Sequence, residues 1–261
     1  MRRICLFAGY DKENVIQDYV VYLVKKLSQI SDVYYMANGK ISPEELIKIA
    51  PYTQMFYTGA HSQKDFGSWK YIIDKLGWNK ISQYDQLILC NDSIYGPFYD
   101  LNTIFKQMDR RGYDFWSMTA DYEYTFHLHR YFLVFNQNVI RNTMFQKFWQ
   151  SVPYAQSPKL SELELTPLLL EEGFAGNSYI RNYKQHNILQ TPHKLLNVID
   201  VPFIKVKSFA AHNKYTAGSG LELKLKIRSH TDYDTALINQ HLRHSGVPQS
   251  LMQKLVCFSG I

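Results

Sequence analysis

Short unbroken apolar runs alternate along this chain with stretches of helical spacing, and that alternation predicts the fold. Ile4 to Ala8 is a short apolar run that stops at Gly9-Tyr10-Asp11, and residues 13–29 then place Val15, Ile16, Tyr19, Val20, Leu23 and Leu27 at helical spacing. A strand followed by a helix is expected. Val33 to Ala37 reads as a second strand ending at Asn38-Gly39. Ser42-Pro43-Glu44-Glu45 then opens a helix to about Ala50, with Ser as cap and Pro in the first turn. Met55 to Gly59 is a third strand, Asp65 to Leu76 a helix, and Gln86 to Cys90 an apolar run that ends in Asn91-Asp92-Ser93.

Residues 101–110 have helical character, Phe115 to Met118 reads as a strand, and Tyr131 to Asn136 is a buried strand leading into a helix through Trp149. Residues 161–173 form a helix ending at a glycine, and Phe203 to Phe209 is the expected last strand. Strands alternating with helices, with apolar runs instead of strict alternation within the strands, predict an α/β fold. Its sheet is mostly parallel and covered on both faces. No repeat, low-complexity tract or linker interrupts the chain, so one domain over residues 1–230 is expected, with residues 231–261 as its helical extension.

Composition narrows the class. The chain has 261 residues, enough for one large domain, and its 15% aromatic share suits either a ring-rich core or sites where flat rings stack on sugars or bases. A net charge of +6 favours anions: nucleotide phosphates, phospholipid head groups or nucleic acid. The basic residues are dispersed, and no zinc-finger, basic-zipper or RNA-recognition pattern occurs, so nucleic acid is not an expected partner. Cys5, Cys90 and Cys257 are too few and scattered for a disulfide framework, which fits a reduced, cytoplasmic protein. The apolar run after Arg2-Arg3 breaks at Gly9, before a signal-peptide core forms, and no segment reaches the roughly 18 apolar residues a spanning helix needs. A soluble chain is expected, with peripheral contact at the inner face of the membrane left open.

Ligands of open α/β sheets bind beyond the carboxyl ends of the strands. That rule singles out Gly9-Tyr10-Asp11, Asn38, the 59–68 loop and Asn91-Asp92-Ser93. The last triplet puts a carboxylate at the end of what should be the central strand, where it can hold Mg²⁺ or Mn²⁺ against a diphosphate; the same residue types also form plain turns. His127 and His129 alternate with Phe126 and Leu128 and should share one face of a strand or loop.

Several longer words carry a family resemblance: Leu6-Phe7-Ala8-Gly9-Tyr10-Asp11, Lys64-Asp65-Phe66-Gly67-Ser68-Trp69-Lys70, Leu76-Gly77-Trp78, the run from Tyr84 to Pro97, Asp114-Phe115-Trp116, Tyr131 to Phe135, and Pro202-Phe203-Ile204-Lys205. In this order, over about residues 4–210, they resemble the rhamnan synthesis protein F family. The resemblance implies a single-domain, Rossmann-like glycosyltransferase of the A-type fold. It would move a sugar, rhamnose or a related hexose, from a nucleoside-diphosphate sugar to a saccharide or lipid-linked saccharide acceptor of a cell-surface polysaccharide, with inversion. A non-catalytic carbohydrate or nucleotide-sugar binding module is the competing reading. A phosphate-transferring enzyme would need a Gly-rich Lys-Ser/Thr loop, which is absent.

Roles then follow by position. Asp11 and Asn38 are placed for the base or ribose, although either residue type also suits a helix cap. Asp65 to Ser68 open a helix toward the donor, with Lys64 and Lys70 for phosphate, although Asp65 also suits an N-cap. Asn91 and Asp92 face the diphosphate. Asp92 is the expected metal ligand, assisted by His212, while Asn91 stands where many A-type enzymes have a second carboxylate. Lys64, Lys70 and Lys205 offer an alternative to the metal. The acceptor base is expected among Glu162, Glu164, Asp121 and Glu123. Glu162 is preferred, because Glu164 lies three residues after Ser161 in a capping-box pattern.

Overall fold

Strands that are apolar at every position need cover on both sides, and the computed structural model shows how they get it. It describes residues 1–62, 64–122, 125–152, 158–181, 201–209 and 219–245, with backbone only at 158–162, 219 and 221. The order is β1 (Arg3–Gly9), α1 (Asp18–Ser28), β2 (Asp32–Asn38), α2 (Pro43–Ile47), β3 (Met55–Gly59), α3 (Lys64–Leu76), α4 (Trp78–Ile81), β4 (Gln86–Asn91), β5 (Ile94–Tyr95), α5 (Leu101–Arg111) and β6 (Phe115–Ser117). Then come β7 (Ala120–Asp121), β8 (His127–Leu128), β9 (Phe132–Asn136), α6 (Gln137–Ile140), α7 (Thr143–Ser151), α8 (Pro158–Glu171), β10 (Gly176–Ser178), β11 (Ile204–Lys205), α9 (Ser219–His230) and α10 (Ala236–His244).

Seven strands form one sheet in the order β10-β6-β9-β4-β1-β2-β3. Alternate residues of β1 serve opposite faces. Cys5 and Phe7 pack with helix residues Leu23, Phe105, Leu223, Ile238 and Leu242, while Ile4, Leu6 and Ala8 pack with Trp69, Ile72, Phe145, Trp149 and Leu169. The described part of the C-terminal extension thus shares the core of the sheet. β1, β2, β3 and β4 are parallel neighbours, with Ala8 opposite Asn91, Gly9 opposite Ala37 and Asn38 opposite Gly59. Their carboxyl ends therefore lie along one edge.

The expected α/β class and mostly parallel sheet are present, with several local corrections. β9 runs antiparallel to both β4 and β6. Helix α1 starts at Asp18, not residue 13, because the Asp11 carboxylate accepts from the Glu13 N–H at 2.8 Å and the Gln17 amide at 3.1 Å and holds the intervening residues in a loop. Helix α2 is capped by Ser42 as expected, but ends at Ile47 in favour of a 3₁₀ turn over Ala50–Tyr52. The helix expected through Trp149 is two, α6 and α7, because the Asn142 side chain accepts from the Phe145 N–H at 2.9 Å and restarts it. Only Ile204–Lys205 of the expected last strand is a strand. It pairs with β5 in a separate two-stranded ribbon, and a 3₁₀ turn over Val206–Phe209 follows. Helix α8 begins at Pro158, which leaves Ser161 inside the helix and removes the capping box assigned to Ser161 and Glu164.

Candidate active site

The ends of β1, β2 and β4 open onto a cleft of about 770 Å³. Its floor is backbone: at Gly9, an added Cβ would lie 1.9 Å from the Tyr35 hydroxyl, so the strand end must stay bare. β9 contributes through its start, since an antiparallel neighbour brings its amino end to this edge. The Asn91 N–H donates to the Tyr131 carbonyl at 3.3 Å, and Arg130 beside it lines the cleft.

Asp92 is half-buried in the cleft wall and accepts a hydrogen bond from the Tyr10 backbone N–H. Burial pushes its carboxyl up to about 7, the Tyr10 hydrogen bond working against that and the neighbouring Asp65 and Asp11 charges adding to it. Its carbonyl accepts from the Tyr19 hydroxyl at 2.7 Å. A chain of polar contacts continues around it. Asn91 Oδ1 accepts from the Ser93 N–H at 3.1 Å and the Ser93 hydroxyl at 2.6 Å. Asn91 Nδ2 donates to Asp65 at 2.8 Å, and the Arg130 guanidinium meets the same carboxylate oxygen at 2.9 Å. From the ribbon, Lys205 Nζ donates to Ser93 Oγ at 2.8 Å and sits 4.6 Å from the centre of the Tyr131 ring.

Two further walls complete the cleft. Asn38 Oδ1 accepts from the His61 N–H at 2.9 Å and its Nδ2 donates to the His61 carbonyl at 3.0 Å, so the side chain pins the β3–α3 loop. His61 Nε2 is 3.0 Å from Ser68 Oγ, and burial lowers the pKa of that imidazole. On the opposite side, α10 brings His241 against Tyr19, ring centres 4.6 Å apart, with Nδ1 2.7 Å from the Tyr95 hydroxyl. Burial lowers the His241 pKa to about 4, so the ring is neutral near pH 7.

Of the residues expected from sequence, Asn38, Lys64, Asp65, Asn91, Asp92 and Lys205 line the cleft. Asp65 is a partner of Arg130 and Asn91 within the first turn of α3, and so not the expected N-cap. Asp11 lies in a small adjoining cavity of about 30 Å³, where its carboxylate serves the 13–17 loop. Lys70 is buried on α3 against Asp74 at 3.0 Å, away from the cleft lining. Asp121 and Glu164 also lie outside that lining, Glu164 on the exposed surface of α8. Asp121 pairs with His127 across the β7–β8 hairpin, and His129 beside it is bound through Nδ1 to Thr119 Oγ1 at 2.8 Å, with its pKa lowered by burial to about 3. Glu162 has only its backbone described; His212, Glu123 and Cys257 lie outside the described residues. Tyr19, Arg130, Lys207 and His241 join the cleft without having been anticipated. Arg130 had one signal, its place just before an apolar run, which points to the cleft only once that strand is known to be antiparallel.

Among the described residues, the protein's own side chains do not make up a divalent-cation site. Mg²⁺ and Mn²⁺ favour about six oxygen-rich ligands. Among the described residues no group of three His, Cys, Asp or Glu side chains could hold one. Near Asp92, Asn91 Oδ1 is committed to Ser93 and the Asp65 oxygen to Arg130 and Asn91.

The fold is similar to that of a solved glycosyltransferase. The glycosyltransferase GlyE of Streptococcus pneumoniae TIGR4 superposes with a TM-score of 0.52 at 13% identity, over 94% of this chain and 64% of that one. The galactosyltransferase LgtC, in complex with donor and acceptor sugar analogues, aligns at 12% identity and a TM-score of 0.45, over 93% of this chain and 99% of its own. No curated protein sequence matches. The profile of rhamnan synthesis protein F matches residues 33–258, which include β2 to β4, the Asn91-Asp92-Ser93 turn, Arg130 and Lys205. The chain has the A-type glycosyltransferase fold and belongs to the rhamnan synthesis protein F family.

Proposed function

We propose that this chain transfers a hexose, rhamnose or a close relative, from a nucleoside-diphosphate sugar to a saccharide acceptor of a cell-surface polysaccharide, with inversion at the sugar. The observation that carries this reading is the Asp92 turn at the end of the central strand, set in a cleft lined by basic side chains and the exposed Tyr10 ring. An aromatic ring at the mouth suits a base or sugar face, and the basic groups suit the diphosphate leaving group, whose charge grows as the glycosidic bond breaks.

Inversion needs a base for the acceptor hydroxyl, and we assign it to Glu162. Position 162 lies one helical turn before Thr166, on the same face of α8, and Thr166 Oγ1 accepts from the Leu128 N–H at 3.1 Å on the strand leading to Arg130. Lipid-linked acceptors would bring the chain to a membrane surface. Among the described residues no helix is long and apolar enough to cross one, so contact would rest on the net charge of +6.

The test is incubation of the purified chain with a panel of nucleotide sugars, dTDP-rhamnose included, and saccharide acceptors, reading nucleoside diphosphate release and the anomeric configuration of the product. Acceptor-dependent release with inverted product supports the reading. Binding of a nucleotide sugar without release by any acceptor tested would instead favour a non-catalytic binding module.

A further inference from the structure

We propose, building on the reading that this chain uses a nucleoside-diphosphate donor, that Lys205, Lys207 and Arg130 hold the donor diphosphate in place of a divalent cation. Three observations carry it. The first is the donor set: Asn91 occupies the position next to Asp92, and its Oδ1 is spent on Ser93. Asp65, the other carboxylate of the cleft lining among the described residues, has its Oδ2 engaged by both Arg130 and Asn91. Among the described residues, a cation entering beside Asp92 would meet that one carboxylate and depend on water and the diphosphate itself for its remaining ligands, whereas the basic side chains reach the diphosphate directly.

The second is the sign of the wall. Among the described residues, the cleft is lined by Lys64, Arg130, Lys205 and Lys207 against Asp65 and Asp92. Such a wall repels a divalent cation and attracts a diphosphate. The third is that the central ammonium is preorganised. Lys205 enters from β11, whose register with β5 places it opposite Ile94, and its Nζ is fixed over the turn by Ser93 Oγ at 2.8 Å and the Tyr131 ring at 4.6 Å. A charge already in position where negative charge develops costs no reorganisation during transfer, and charge-assisted hydrogen bonds to phosphate are the strong class.

Calorimetric titration with UDP, dTDP and GDP, each in excess chelator and again with Mn²⁺ or Mg²⁺, tests this on the wild-type chain. At least one nucleotide should bind with the same affinity in chelator as with metal. Lys205→Met should weaken that binding by about ten- to a hundredfold, the range for a hydrogen bond to a charged group, and Lys205→Arg should recover most of it. Melting temperatures of both variants check that they fold, and the chelator comparison needs neither. Binding that requires the metal, or that Lys205→Met leaves unchanged in a folded protein, overturns the proposal while leaving the donor reading standing. Binding of no nucleotide under either condition overturns both.

Discussion

Asn38 shows how a residue placed correctly at a strand end can serve a different purpose from the one its position suggests. Its amide is spent on both backbone groups of His61, so it shapes the cleft wall from behind. Truncating it leaves two backbone groups to find other partners. Asn38→Ala should therefore cost about 1–3 kcal/mol of unfolding free energy, measured by urea denaturation, whereas loss of a ligand contact alone would leave the midpoint unchanged. Asp65 carries the same lesson, since its carboxylate holds Arg130 in the cleft instead of capping its own helix. Asn91, Asp92, Asp65, Lys64 and Asn38 were legible from sequence because parallel strands expose their carboxyl ends, and the strands could be read from their apolar runs. Lys70 was not placed correctly, because phase on a helix of mixed character decides whether a lysine faces a ligand or, as here, Asp74.

At the level of elements, strand direction decided which residues were missed. Apolar runs read alike in parallel and antiparallel strands, so the reversal of β9 was invisible, and with it the approach of Arg130. The start of α8 also moved, and that changes what Glu162 and Glu164 should do. Glu162→Gln should lower turnover by about 10²- to 10⁴-fold with donor affinity retained, as loss of a general base does. Glu164, exposed on the helix and released from any capping role, should leave both turnover and stability nearly unchanged when made Gln, within about 0.5 kcal/mol. Steady-state kinetics of the pair would check the assignment, and the reverse pattern would exchange the roles.

Helix α10 carries a pH prediction. The neutral His241 ring packs between Tyr19 and Tyr95, with the Asp11 charge favouring its protonation and His244 opposing it. A histidine whose folded pKa is lowered stabilises the fold above its unfolded pKa of about 6.5, and that contribution is lost as pH falls toward about 4. Melting temperature should fall between pH 7 and pH 4.5, and less steeply in His241→Phe. The residual slope of the variant is the balance of His129, whose pKa is lowered to about 3 and which acts in the same direction, and Asp92, whose carboxyl is raised to about 7 and which opposes it. An unchanged slope in the variant would mean that α10 does not exclude the protonated ring.

On the scale of the whole molecule, one sheet with helices on both faces frames the cleft, the β5–β11 ribbon adds a wall to it, and α9 and α10 close over one face through Leu223, Ile227, Ile238 and Leu242. The α/β class followed from the alternation of apolar runs and helical spacing. The β5–β11 ribbon did not, because two-residue strands leave no periodicity to read, yet that ribbon delivers Lys205. The net charge of +6 should give weak binding to phosphatidylserine vesicles at low ionic strength, about 1 kcal/mol for each basic residue at the surface, and salt should release it. Sedimentation with vesicles would show this, and an absence of binding at low salt would remove the membrane-surface role.

Whether the Asp92 cleft performs sugar transfer is decided by acceptor-dependent transfer assays of wild type and Asp92→Ala, with melting temperatures measured alongside. The wild type should transfer sugar and the variant should not, with melting temperatures within a few degrees of one another. A folded Asp92→Ala chain that transfers sugar at the wild-type rate would contradict this.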